Sequence, residues 1–199
     1  GQIPGGGDAD NAASEDEDPR AGKVFVLGQD KPAREVNLAE IKLADVKGLA
    51  PLARSAPGGA VYVPALDGTF VMVLGEGEPR TVRMGSPFPL TDFDVSPDGR
   101  LALLDSVGGK LRLHAAEGTS LAEIPLAGPE SPASAFFALA RYAPNGEIWV
   151  LELPSPEMIA QPGEAAAALI RLDRSGKRIA RLDKHPGGNA IDAIAGFSA

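Results

Sequence analysis

The chain has no cysteine, so disulfides, thiolate metal centres and cysteine nucleophiles are all excluded. Histidine is nearly as scarce. His114 and His185 are the only two, they are not spaced as a ligand pair, and both sit beside polar turns. This predicts solvated rings and no metal centre. With so little histidine a serine triad lacks its base, and no Gly-x-Ser-x-Gly elbow occurs. Aromatics are only 5% of the residues. No apolar run reaches the roughly 18 residues that a bilayer-crossing helix requires, so no membrane span is expected. Gly5-Gly6-Gly7 is followed by neither a strand and helix nor Gly-Lys-Ser, which removes the case for a phosphate cradle.

Basic charge is also short. The formal charge is −8, and no stripe of lysine and arginine could displace counterions from a phosphate backbone, so nucleic acid is not an expected partner. Residues 1–21 hold six of the acids (Asp8, Asp10, Glu15, Asp16, Glu17, Asp18) against Arg20, and Ile3 is their one large aliphatic residue. Such a segment cannot offset its ordering entropy and reads as a disordered, acidic, glycine-rich leader. It resembles the tether behind the lipidated cysteine of bacterial surface lipoproteins, although that cysteine is missing. The resemblance implies an extracytoplasmic place, in the periplasm or at the cell surface. The first residue is glycine, which points to a removed signal segment or a truncated start.

What the sequence has in quantity is turn chemistry. Glycine (24) and proline (18) together exceed a fifth of the 199 residues, suiting many short strands joined by tight turns. One punctuation mark recurs as Pro57-Gly58-Gly59, Pro97-Asp98-Gly99 and Pro144-Asn145-Gly146, at spacings of 40 and 47 residues. Spacings in this range indicate stacked repeats. An alternating apolar pair follows each mark: Val61 and Val63, Leu101 and Leu103, Ile148 and Val150. Period two is the signature of a strand. Proline presets φ in these turns and glycine supplies the positive φ that closes the hairpin, so Pro57, Gly59, Pro97, Asp98, Gly99, Pro144, Asn145 and Gly146 are read as structural turn residues.

Setting the repeats beneath one another gives units of four short strands in meander order. First strands are expected at 49–55, 90–96 and 136–143, third strands at 70–74 and 111–114, and fourth strands at 80–84, 120–124 and 177–182. Residues 23–27 and 34–38 match third and fourth strands, and 191–199 match a first strand. The segment from Phe93 to Leu104, with Gly146-Glu147-Ile148-Trp149-Val150, resembles blades of the β-propeller superfamily in the style of NHL-repeat and TolB-like proteins. That resemblance covers residues 22–199 and implies an all-β domain of three full four-stranded blades plus partial first and last ones. An incomplete propeller, with apolar blade faces open to homodimerisation, is the leading expectation. A closed four-bladed propeller and a two-sheet β-sandwich are the alternatives.

Candidate site residues are few. Asp92, Asp94, Asp98 and Asp105 surround one hairpin, but alternation is expected to separate their faces, so turn stabilisation is favoured over calcium binding. The excess length of the third unit falls at residues 153–168, where Met158 and Ile159 are candidate contacts for a partner, set against a default in which the loop folds back on its own blade. Phe88, between Pro87 and Pro89, is the other candidate binding residue, set against a default role for Phe88, Phe136 and Phe137 in packing between blades. No catalytic residue and no cofactor is identified. The resulting expectation is a non-catalytic binding or sensing module, its ligand an unspecified protein or small molecule. The alternative is a fragment of a propeller hydrolase of lactonase-like or strictosidine-synthase-like type.

Overall fold

A computed structural model describes residues 23–26, 34–37, 48–56, 58–75, 77–132, 135–154 and 167–183, and every regular element among them is a β-strand. The chain separates into two units, Gly1–Lys42 and Leu43–Ala199. In the first, β1 (Lys23–Val26) and β2 (Arg34–Asn37) pair antiparallel with Val24 opposite Val36. The second holds three four-stranded antiparallel sheets, each in simple meander order.

The first sheet comprises β3 (Arg54–Ser55), β4 (Val61–Pro64), β5 (Phe70–Leu74) and β6 (Arg80–Arg83). The second comprises β7 (Asp92–Val95), β8 (Leu101–Asp105), β9 (Lys110–His114) and β10 (Ser120–Pro125). The third comprises β11 (Phe136–Tyr142), β12 (Ile148–Leu153), β13 (Ala168–Leu172) and β14 (Arg178–Leu182). Among the described residues these agree with the strands expected from the repeats, with one shortfall; the first strand expected at 191–199 lies outside the described residues. The first strand of the first sheet was expected over 49–55, yet regular pairing survives only at Arg54 and Ser55, with an isolated bridge from Leu49 to Ala65. Pro51 lies between them and has no N–H to give the ladder.

Alternation explains how the sheets stack. In β8 every residue is buried, and its side chains divide between two cores. Leu101 and Leu103 join Tyr62, Val71, Val73, Val82, Phe88 and Phe93 in a core shared with the first sheet. Ala102 and Leu104 join Phe137, Ile148, Val150 and Ile170 in a core shared with the third. A middle sheet covered on both faces excludes the two-sheet sandwich, in which each sheet keeps one solvated face. The first strands also gather together, because β7 lies against β3 on one side and β11 on the other.

The turns obey one geometry. At the hairpins of residues 56–60, 96–100, 115–119, 143–147 and 173–177, the first residue donates its N–H to the carbonyl of the last, and a glycine donates back to the first. Those glycines, Gly59, Gly99, Gly118, Gly146 and Gly176, have φ of 81°, 83°, 95°, 81° and 89°. This is a tight turn closed by a left-handed residue, the conformation that the Pro-x-Gly marks predict. Pro57 itself lies outside the described residues.

Two of these glycines also set the spacing between sheets. A Cβ on Gly118 would collide with the Arg83 carbonyl and Val82 of the preceding sheet's outer strand, and one on Gly176 with Ile124 of β10. Gly176→Val therefore combines backbone strain with overlap against the neighbouring sheet. It is expected to cost about 3 kcal/mol, read as a lower urea midpoint with an unchanged slope. Gly77 has open space at its Cβ position and no positive φ. Gly77→Ala should leave the midpoint within about 0.5 kcal/mol of the parent.

Candidate functional site

The residues three positions before each proline mark are Arg54, Asp94 and Arg141, which alternate in sign along three successive first strands. Asp92 shares the face of Asp94, since side chains two apart on a strand point the same way. Alternation therefore joins these two acids instead of separating them, and the expectation that their faces differ is corrected. Asp92 is 2% exposed, with one carboxylate oxygen accepting from Arg54 Nη2 at 2.8 Å. Its other oxygen accepts from the Ala140 N–H at 2.9 Å and from Arg141 Nη1. One carboxylate thus ties all three sheets together.

Asp94 accepts from the Tyr142 N–H at 2.7 Å and lies 3.7 Å from Arg54 Nε. Burial nevertheless pushes the Asp94 carboxyl above the ordinary aspartate value, outweighing the Tyr142 and Val95 backbone hydrogen bonds and the two arginines. Asp98, at the exposed turn, moves the other way, held low first by the Ser96 hydroxyl and then by Arg100. Asp98 and Asp105 perform the turn stabilisation expected of them: Asp98 pairs with Arg100 at 3.0 Å, and Asp105 accepts from the Gly108 N–H at 2.7 Å. Asp92 and Asp94 instead hold sheet to sheet.

Other expected residues fall as follows. His114 was expected to be solvated, but it is 3% exposed, with Nδ1 at 3.0 Å from the Gly118 carbonyl oxygen. It ends β9, a strand flanked on both sides by β8 and β10, so its sheet covers it. Phe88 is 6% exposed, lies against Gly68, and carries the Arg112 guanidinium 4.1 Å above its ring centroid. Its position is that of a plug between the first two sheets. Phe137 is buried in the second seam, whereas Phe136, expected to pack, is 44% exposed at the start of β11. Met158, Ile159 and His185 lie outside the described residues. No group of three or more His, Asp or Glu suited to a metal ion occurs among the described residues.

A feature that the repeat marks do not announce lies at the turn end of the second seam. A cavity of about 390 Å³ opens between the second and third sheets, lined by Arg100, Leu113, Leu121, Ala122, Tyr142, Arg174 and Ser175. Its walls come from β9, β10, the end of β11 and the β13–β14 turn. Arg100 Nη1 donates to the Arg174 carbonyl at 3.2 Å, and Arg174 Nε to the Asn145 carbonyl at 2.6 Å, which fixes the turns around the opening. Tyr142 is 8% exposed, and burial pushes its phenol well above the ordinary tyrosine value. The signal for this cavity was present only in part. Leu121 is an apolar residue at an outward position of an outer strand, and Arg174 occupies a turn two residues before its glycine.

Asp92→Asn removes the charge shared by two arginines in a buried setting and is expected to cost about 3 kcal/mol in urea unfolding. Asp98→Asn, at an exposed pair, should cost under about 1 kcal/mol. Titration gives a second check. Carboxyl NMR should place Asp94 above 3.8 and Asp98 below it. The signs are opposite: acidification through the raised Asp94 value favours the fold, whereas the stability contributed by Asp98 is lost as pH falls through its lowered value.

No protein-family model matches the chain, and no curated protein does. Solved structures do. A streptogramin B lyase matches with a TM-score of 0.55 at 14% identity, covering 82% of this chain and 48% of its own. Virginiamycin B lyase from Staphylococcus aureus gives 0.54 at 13% identity, with 83% and 50% covered. Hsv2 of Kluyveromyces lactis gives 0.51 at 15% identity, with 80% and 55% covered. The chain spans about half the length of these structures. At such identities the likeness is one of fold, and lyases stand beside a protein of a different name. Three meander sheets, gathered at their first strands and matched to these structures, make the described part of the second unit a set of β-propeller blades.

Proposed function

We propose that the chain is a non-catalytic binding module in which the blades are a rigid scaffold and the cavity between the second and third blades is the recognition site. The fold does not choose between enzyme and binder, because propellers serve both. The cavity carries the reading. Its volume, about 390 Å³, suits a small ligand or a few side chains of a larger one. Leu113, Leu121, Ala122 and the Tyr142 ring give it an apolar wall, and Arg100, Arg174 and Ser175 set polar groups beside that wall, the mixture a binding pocket uses. The acids on the described inner strands support the same reading. Asp92 and Asp94 are committed to arginines and backbone N–H groups, a bonding pattern that builds a scaffold. An extracytoplasmic place, argued from the acidic leader, belongs to this proposal.

A protein-observed NMR screen with a chemically mixed fragment set tests it. At least one fragment is expected to shift the amide signals of Leu121, Ala122, Tyr142 and Ser175 saturably and to be recovered unchanged. Conversion of a lactone or ester fragment by the purified chain would overturn the non-catalytic reading. Hits confined to other surfaces would overturn the site.

A further inference from the structure

We infer that the cavity between the second and third blades takes a carboxylate carried on a compact apolar group. This rests on the binding reading above and specifies its ligand. The argument begins with arginine pairing. Around the second seam and the third blade, Arg100, Arg171, Arg178 and Arg181 each carry a carboxylate partner: Asp98, Glu147, Glu130 and Glu152. Arg174 differs. Its Nε is spent on the Asn145 carbonyl, and its two terminal nitrogens have no partner among the described residues. A guanidinium in this state offers the paired donors that a carboxylate accepts most strongly.

Its arm is also fixed in advance. Arg174 lies across Gly146, where a Cβ would come within 2.7 Å of Nε and 3.2 Å of Cγ and Cδ. The glycine of the third mark thus does two things: it closes its turn, and it leaves the space in which the arginine rests. Little side-chain entropy remains to be lost when a ligand binds there.

The neighbouring acids do not compete for it. Asp173 accepts from the Ser175 N–H, the Ser175 hydroxyl and the Lys177 N–H, at 2.8, 2.6 and 3.0 Å. Asp98 is held by Ser96 and Arg100. The Tyr142 hydroxyl, on the cavity wall, has no hydrogen-bond partner among the described residues and adds a second donor. Beneath these groups the wall is apolar: Leu113 is buried, Ala122 is partly buried, and Leu121 is 52% exposed, a large aliphatic residue left uncovered at the rim. Charge at one end and apolar wall at the other match an amphiphilic carboxylate.

The probe is 4-phenylbutyrate, titrated into the whole chain by ¹H–¹⁵N NMR beside 4-phenylbutylamine and 4-phenylbutanol. The acid should shift Leu121, Ala122 and Ser175 saturably, while the amine should not. Arg174→Gln, at an exposed position, should weaken the acid about tenfold while leaving the rest of the spectrum unchanged. Gly146→Ala, which displaces the arm, should weaken it as well. N-acetyl-Gly-Gly-Phe with a free or an amidated carboxyl end distinguishes a peptide terminus from a free acid as the source. Equal binding of alcohol and acid at the cavity would overturn the carboxylate assignment and leave the binding reading intact. Failure of all the probes at the cavity, together with a fragment screen silent there, would overturn both.

Discussion

The second unit depends on a single shared anion. Asp92 stands on the first strand of the middle blade and accepts from a strand on either side, so the innermost strands of three blades meet at one carboxylate. Burying such a group costs several kcal/mol in lost hydration, and the arginines offset that cost only when both are in place. This requirement fixes geometry more than it adds stability. A blade shifted in register by one residue would turn either the acid or its arginine to the opposite face and leave a charge unpaired.

Around that point the packing is one of close approach. The second and third blades each turn back at a glycine set directly against the outer strand of the blade before it, Gly118 in one and Gly176 in the other. Apolar side chains fill both seams, and the middle strand β8 contributes alternate residues to each. Turn and seam therefore cooperate, since a turn without a side chain lets the neighbouring sheet come near enough for its leucines to meet.

Much of the fold could be read in the sequence, because its signals are local. Proline, aspartate or asparagine, and glycine at fixed offsets announce a turn through their own conformational preferences, and the alternation that follows announces a strand. Pro51 shortened β3 by the same kind of local rule. The site was less legible. Arg54, Asp94 and Arg141 could have been aligned three residues before the marks, but nothing local says that they would meet at Asp92. His114 is buried because its place in an inner strand outweighs the polar turn beside it. Arg174 is one exposed arginine among many until the fold lays it across Gly146 from another hairpin.

The two faces of β8 carry a further meaning. Leu103 and Leu104 are neighbours in the chain, yet the first belongs to the seam with the preceding blade and the second to the seam with the following one. The described blades thus form a linear array in which energy is held between nearest neighbours. In such an array each seam is stabilised by the side chains that face it, so a change at Leu103 acts on the seam with the preceding blade and a change at Leu104 on the seam with the following one. The cavity lies in the second of these seams, so a ligand held there would stabilise that seam by mass action and leave the first as it is.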